Sequence, residues 1–405
     1  MVKIELHCIT EEGMAWLYKL QYYLLPHNLI PYILQSRMAS TMISIAFFFL
    51  LLLSSSAVLA DNDNAQIPSD KSQLAPWFRN SIQKYKLRRT TLDPALVEAE
   101  DRVKIIKVSK TGGGVFNTVM AAVNSVPAGN TQRVIIWIGG GEYEEKIKID
   151  RDKPFITFYG SPEDMPKLSF DGTAAQFGTV DSATLIVESD YFMAVNIIVI
   201  NSSPRPDGKR KGAQAVALRV SGDKAAFYNC RLIGFQDTLC DDRGRHFFHG
   251  CYVEGTVDYI FGSGKSLYLS TELHTKGDGG FSVITAQARN LESEDNGYSF
   301  VHCTLSGTGG NTFLGRAWMS RPKVVFSYTF MSPVVSPLGW SNNIHPERES
   351  LVFYGEYKCM GPGADTSKRS KFTKELDDDG ATPFITLNYI DASTWLLPPP
   401  GLALR

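Results

Sequence analysis

The chain has 405 residues, of which 43% are hydrophobic and 20% are charged, a composition typical of globular proteins. Its formal net charge of -1 provides no general attraction for nucleic acid or for an anionic membrane, so neither is an expected partner. A polyanionic substrate would have to be bound by local residues of a site.

The N-terminal part carries a targeting signal. Residues 45–53, IAFFFLLLL, are too few to span a bilayer comfortably, and the small residues that follow suit cleavage after Ala60. One interpretation takes Met38 or Met42 as the translation start and residues 38–60 as a signal peptide; the alternative is a signal anchor that stays attached. We expect cleavage, and therefore a secreted, extracellular protein with no stable membrane association.

The sequence divides into three segments. After the extension and signal of residues 1–60, residues 61–102 are polar and turn-rich and contain a basic cluster at 84–89. We interpret them as a solvated linker rather than a processing site. Residues 103–405 form a domain of short β-rich runs separated by glycine, asparagine and aspartate.

The six cysteines suggest neither a disulfide framework nor a zinc site. Cys8 precedes the signal, and an odd number remains, whose spacing fits neither pattern: Cys230, Cys240, Cys251, Cys303 and Cys359. We expect most of them to be small buried hydrophobic residues.

One amphipathic helix stands out early in the β-rich domain. Phe116, Val119, Met120 and Val123 fall at i, i+3, i+4 and i+7. We expect this helix to cover one open end of the fold, where an exposed sheet edge would otherwise pair with other chains.

A repeat follows the helix. Leu232, Val253 and Leu273 are spaced 21 and 20 residues apart in similar sequence motifs, and residues 303–307 repeat the motif. A period of about 20 residues indicates a solenoid. Because the repeats are strand-rich and lack the leucine-rich-repeat signature, we predict an all-β fold, a single-stranded parallel β-helix with an N-terminal capping helix.

The repeat places polar side chains in a ladder. Asp237 and Asp258 occupy equivalent positions, so they would lie about 4.8 Å apart on neighbouring coils. Gln214 lies 22 residues before Gln236 and would stack on it in the same way. Two amides and two carboxylates would therefore share one face.

Such a ladder supports two kinds of hydrolysis. Two close carboxylates do not ionise together easily, which supplies one nucleophile and one proton donor, and amides stabilise an oxyanion. Ester hydrolysis through an acyl-enzyme and glycoside hydrolysis with retention both fit, and spacing alone does not choose between them. A purely structural polar ladder is the third alternative.

Several motifs resemble those of one enzyme family. They are GFQDTL (234–239), GTVDYIFG (255–262), LGRAW (314–318), GEYEE (141–145), QAVALR (214–219), FYNC (227–230), and FYGEY with GPGA (353–364). In this order they resemble the pectin methylesterases of plant cell walls and their pathogens, from about Val103 to the C-terminus. The resemblance implies a right-handed parallel β-helix and activity on galacturonate methyl esters without a metal or other cofactor.

The resemblance also implies a role for each motif residue. Asp258 matches the nucleophile, and Asp237 the acid that protonates methanol and then activates water. Gln236 and Gln214 match the amides that stabilise the tetrahedral anion, and Gln214 also a substrate contact.

Three further residues match the family's substrate-binding positions. Arg316 matches the arginine that orients the nucleophile and the substrate, Trp318 a wall on which a sugar stacks, and Thr184 a threonine that contacts substrate. The chain departs from the usual pattern at Cys240 and His246, and at Ser263 and Ala317, which leaves the substrate pattern and pH optimum open.

Partners follow from the same resemblance. We expect a monomer that acts on pectin and is a target for proteinaceous inhibitors, with no inhibitor-like pro-region. Asn201-Ser-Ser203 is a sequon and a candidate glycosylation site. The rival hypotheses are a pectin lyase or polygalacturonase on the same fold, and an inactive pectin-binding protein of the wall.

Overall fold

The computed structural model describes residues 65–401, so the signal region and residues 1–37 lie outside the described part of the chain. Within it, strands numbered in chain order form three parallel sheets. None of the helices between residues 65 and 401 is long and apolar enough to cross a membrane.

Sheet 1 has 11 strands: β1 (Lys104–Val108), β2 (Val134–Ile138), β5 (Ile156–Tyr159), β8 (Met193–Val195), β11 (Ala225–Tyr228), β14 (Arg245–His249), β17 (Lys265–Leu269), β20 (Gly297–Val301), β23 (Lys323–Ser327), β26 (Phe353–Tyr357) and β27 (Thr373–Glu375). Sheet 2 has 8 strands: β4 (Ile147–Ile149), β7 (Leu185–Val187), β10 (Leu218–Val220), β13 (Leu239–Asp241), β16 (Ile260–Gly262), β19 (Ser282–Gln287), β22 (Thr312–Arg316) and β25 (Trp340–Ser341). Sheet 3 has 8 strands: β3 (Glu142–Glu144), β6 (Lys167–Phe170), β9 (Ile198–Asn201), β12 (Arg231–Ile233), β15 (Tyr252–Gly255), β18 (Glu272–Lys276), β21 (Thr304–Thr308) and β24 (Phe330–Met331).

The helices are short. The α-helices are α1 (Leu74–Ser81), α2 (Pro94–Asp101), α3 (Val119–Asn124), α4 (Ala174–Phe177) and α5 (Asp378–Ala381). Single turns of 3₁₀ helix occur at Lys71–Gln73, Tyr85–Leu87, Val180–Ser182, Pro346–Arg348, Pro362–Ala364, Thr366–Lys368, Thr382–Phe384, Leu387–Ile390 and Ala392–Thr394.

Each complete coil gives one strand to sheet 1, then one to sheet 3 and one to sheet 2. Parallel pairing joins each strand to its equivalent in the next coil, so Leu232 lies beside Val253, Val253 beside Leu273, and Leu273 beside Leu305. These four side chains are buried in one core that runs along the axis. The predicted repeat and the parallel β-helix are confirmed.

The turn from sheet 1 to sheet 3 follows one rule. A residue with positive φ follows the strand of sheet 1, as at Asn229 (49°) and Gly250 (61°), and the next residue is buried in the core. Asparagine and glycine suit this left-handed conformation. The thiols that follow, Cys230 and Cys251, are buried and donate to the carbonyl two residues back. The prediction of buried cysteines is confirmed here, and Cys359 is only partly buried.

Helix α3 packs on β1, β2 and β4 at the N-terminal end of the coils, as predicted, but it begins at Val119, so Phe116 precedes it. Val119 and Val123 are fully buried, and the hydroxyl of Thr118 caps the helix by accepting from the backbone N–H of Ala121. The Glu145 carboxylate accepts from the N–H groups of Val119 and Met120, both at 2.9 Å. The last residue of the GEYEE motif therefore anchors the helix to the first full coil.

The prediction of a solvated linker over residues 61–102 is wrong for its described part. Helices α1 and α2 pack on the outer face of sheet 1, and Leu74, Leu96 and Ala99 join a core with the C-terminal segment. Arg88, in the basic cluster, is buried and donates to the carbonyls of Ala392 and Leu396. Polar composition concealed this packing because the buried residues are widely spaced.

A buried histidine–aspartate contact lies inside the wall of the β-helix. His246 has no exposed surface; its Nδ1 lies 2.5 Å from an Asp241 oxygen and its Nε2 lies 2.9 Å from the Gly222 carbonyl. Tyr268 donates to the other carboxylate oxygen and Tyr298 to the Asp241 carbonyl. Because both ring nitrogens face acceptors, the pair suits an imidazolium and a carboxylate. Burial lowers the pKa of His246, but the charge and hydrogen bond of Asp241 act in the opposite direction, and the net shift is upward.

A histidine whose pKa is raised by folding stabilises the protein below its ordinary pKa of 6.5 and loses that contribution as the pH rises through the folded value. We therefore expect His246→Gln to reduce the free energy of unfolding more at about pH 5.5 than at about pH 8. Urea denaturation at both pH values measures the difference, with the partly exposed His345→Gln as control. An equal loss at the two pH values would contradict the charged pair.

Candidate active site

The two motifs that contain Asp237 and Asp258 lie at the turns from sheet 3 to sheet 2. The N–H of Asp237 donates to the Val257 carbonyl at 3.1 Å, which places Asp237 beside Asp258 on the next coil. Both residues have positive φ, 66° and 50°, a conformation that aspartate tolerates. Gly255 is required because a Cβ there would lie 2.7 Å from the Phe235 carbonyl oxygen. The motif occurs twice because two successive coils make the same tight turn.

The amides also stack, through a local irregularity. Ala215 donates to the Gln236 carbonyl, and then Ala217 and Leu218 both donate to the Thr238 carbonyl. One extra residue before β10 changes the offset between these coils from 22 to 21 residues, as in a β-bulge. Gln214 is therefore the backbone neighbour of Gln236, and both side chains are half-buried.

One arginine joins this ladder from two coils beyond that of Asp258. Arg316 ends β22 and donates from Nε to one oxygen of Asp258 at 2.7 Å and from Nη2 to the other. The guanidinium carbon lies 4.8 Å from the ring centre of Trp318, whose side chain is about half exposed. The structure therefore gathers Asp237, Asp258, Arg316 and Trp318 around one surface.

The two carboxylates have different electrostatic surroundings. Burial and the Asp258 charge raise the pKa of Asp237 well above its ordinary value, although Arg316 opposes them. Burial also raises the pKa of Asp258, but there the hydrogen bonds and charge of Arg316 act directly against it. Arg316 therefore favours the ionised form most strongly at Asp258, whereas burial beside that charge favours the protonated form of Asp237.

Thr184, a predicted substrate contact, has a structural hydrogen bond in this structure. Thr184 is fully buried and its hydroxyl donates to the Ile200 carbonyl at 2.8 Å, as Thr238 does to Glu254 in a later coil. Both hydroxyls satisfy carbonyls of the turn. Contact between Thr184 and a substrate remains a prediction, and it would require the surrounding residues to move.

The geometry contradicts glycosylation of Asn201 in the folded protein. Its side chain is 3% exposed, and its amide nitrogen donates to the carbonyls of Gly172 and Val216, both at 2.9 Å. Its oxygen accepts from the Ser203 N–H within the sequon itself. A glycan on this nitrogen would have no path to solvent, and it would disrupt the hydrogen bonds of the turn.

Sequence reasoning missed Asn343, which accepts from Nη1 of Arg316 at 2.9 Å. It lies in the loop after β25, outside every motif that carried the resemblance. An asparagine beside another asparagine in a loop gives no signal of its partner.

Between residues 65 and 401, no group of three or more His, Cys, Asp or Glu is placed to hold a metal ion.

Comparisons with known proteins agree with this geometry. The pectinesterase family model matches residues 105–393. Pectinesterase 1 of Olea europaea is 55% identical over 343 residues, which cover 84% of this chain and 93% of that protein. The solved pectin methylesterase from carrot is 28% identical, with a TM-score of 0.67 over 72% of this chain and 94% of the other.

A second solved pectin methylesterase, determined in complex with a hexasaccharide, is 27% identical, with a TM-score of 0.61 over 74% of this chain and 99% of the other. These neighbours are right-handed parallel β-helices, which confirms the predicted handedness. Family model, relatives and fold agree, and the chain belongs to the pectinesterase family.

Proposed function

We propose that this chain hydrolyses the methyl esters of galacturonate residues in pectin, releasing methanol and free carboxylates. The observation that carries the proposal is the stacked pair of aspartates in which only Asp258 is held by an arginine. Family membership and the oligosaccharide bound to a structural neighbour support pectin as the substrate.

In the first half-reaction, an oxygen of ionised Asp258 attacks the ester carbonyl carbon. The carbonyl becomes an oxyanion, which the amide N–H groups of Gln236 and Gln214 stabilise. The bond from carbon to the methoxy oxygen then breaks, and the proton of Asp237 passes to that oxygen to give methanol. The galacturonyl group is left joined to Asp258 as an acyl-enzyme.

In the second half-reaction, ionised Asp237 accepts a proton from water as the water attacks the galacturonyl carbon. The bond to Asp258 breaks, which frees the galacturonic acid residue of the chain and restores the starting protonation of both aspartates; the new carboxylic acid then releases its proton to water. Arg316 stabilises Asp258 as an anion at the beginning and the end of this cycle. Trp318 supplies an exposed ring on which a sugar stacks.

This function fits secretion to a cell wall, with the protein acting as a monomer on pectin and meeting protein inhibitors there. The observation that disfavours a wall-binding protein without activity is that both aspartates, the amides and the arginine are present and assembled. A lyase or polygalacturonase would cut the chain, so new reducing or unsaturated ends are the readout that separates it from an esterase.

Replacing either aspartate separates a catalytic pair from a structural ladder. Asp258→Asn and Asp237→Asn keep the shape of each side chain, so we expect folding to persist while kcat for methanol release falls by about 10³-fold or more. Methanol release from highly methylated pectin measures this, with Asp379→Asn at an exposed position as the matched control. Native activity in both folded variants would rule out the proposed chemistry.

Removing the arginine should change the pH profile. In Arg316→Gln nothing opposes the effect of burial on Asp258, so its pKa should rise, and the acidic limb of kcat/KM should move to higher pH. Profiles of methanol release between about pH 4 and pH 9 test this. An acidic limb that stays in place, with only the rate reduced, would assign that limb to another group.

A further inference from the structure

Three corners of the Arg316 guanidinium are fixed in place. Nε and Nη2 donate to the two oxygens of Asp258, and Nη1 donates to the side-chain oxygen of Asn343 at 2.9 Å. The Asp258 contacts alone hold one edge of the planar group. The Asn343 contact holds the opposite corner and so fixes the plane of the guanidinium.

The loop that presents Asn343 has a strained backbone. Asn343 and Ile344 have φ values of 56° and 63° in succession, and a β-branched residue rarely adopts this conformation. Ile344 is 94% exposed, so burial of its side chain does not offset the strain. Strain of this kind persists where the surroundings impose it, and it is concentrated at functional sites.

Hydrogen bonds around the loop impose this shape. Asn343 N–H donates to the Ser341 hydroxyl at 3.1 Å, and Ile344 N–H donates to the Asn342 side chain at 3.0 Å. The Asn342 amide in turn donates to Glu349 at 2.7 Å. The loop is therefore built to hold one conformation, which directs the Asn343 oxygen at Arg316.

The same segment also holds the chain that follows the arginine. Arg348 donates from Nη1 to the carbonyls of Ala317 and Trp318, at 2.6 and 2.8 Å. The N–H of Ala317 donates to the Ser341 carbonyl at 2.9 Å. Both the guanidinium and the backbone beside it are thus supported by residues 341–348.

We infer that Asn343 is a positioning residue, which holds the Arg316 guanidinium in place for the attack of Asp258 and while Asp258 carries the acyl group. The inference rests on the proposed function. A neutral amide suits the task because it accepts a hydrogen bond without competing with Asp258 for the positive charge. When Asp258 becomes acylated it loses its charge and its ionic hold on Arg316, and the contact with Asn343 remains.

Asn343→Gly tests the inference most directly. Glycine adopts positive φ without strain, so the variant removes the carboxamide while the turn keeps its conformation and Tm does not fall. We expect kcat for methanol release to fall about tenfold, the loss of one positioning contact, with KM within about twofold of native. A glycine variant with native kcat would overturn the inference.

The pH profile supplies a readout that a purely structural role would not change. The groups that face Asp258 are Arg316, Asp237 and, from β26, Tyr354. A less constrained Arg316 should let the acidic limb of kcat/KM move to higher pH in Asn343→Gly. Asn343→Asp, which also tolerates this backbone, should move it the same way because a second carboxylate shares the guanidinium. Unchanged limbs in both variants would contradict the inference.

Ile344→Asn is the matched control, because it relieves strain in the same turn without removing the contact to Arg316. It should raise Tm and keep kcat within about twofold of native, and a tenfold loss there would assign the effect to the turn rather than to Asn343. Native protein that releases no methanol would overturn the proposed function itself. Native methanol release with an equally active, unshifted Asn343→Gly would overturn the positioning role alone.

Discussion

The register between neighbouring coils is the constraint on which the site depends. Parallel pairing sets equivalent residues side by side at the strand spacing, about 4.8 Å. A carboxylate repeated once per coil must then lie beside its copy, as Asp237 lies beside Asp258. The turn that makes this possible requires positive φ at both aspartates and leaves no room for a side chain at Gly255. Fold and site therefore have the same origin.

Stacking alone would give two equivalent acids, and the arginine distinguishes them. Arg316 donates hydrogen bonds to Asp258 and not to Asp237, so burial and repulsion from Asp258 are less opposed at Asp237. The pair then has one member suited to attack and one suited to carry a proton. The loop of residues 341–348 supports this asymmetry from outside the repeat. The site thus combines regular coils with one irregular loop.

The sequence predicts the features that periodicity encodes. Leu232 and its successors reveal the coil, and the aspartates and amides follow from the same offset. It does not predict contacts that only the closed coil creates. From the sequence, the side chains of Thr184 and Asn201 could face solvent, but in the structure both donate hydrogen bonds to carbonyls of nearby turns. Residues 65–101 look solvated because their few apolar side chains meet sheet 1 only after folding. Asn343 is set opposite Arg316 by a loop whose shape no repeat specifies.

The central claim is that the two stacked carboxyls differ in protonation, and vibrational spectroscopy tests it most directly. Infrared difference spectra between native protein and each aspartate-to-asparagine variant, at a pH where methanol is released, report the protonated carboxyl band. The account predicts that the band is lost in Asp237→Asn, whereas the difference for Asp258→Asn shows loss of a carboxylate. Loss of the protonated band in Asp258→Asn, or two carboxylates in the native protein, would contradict it.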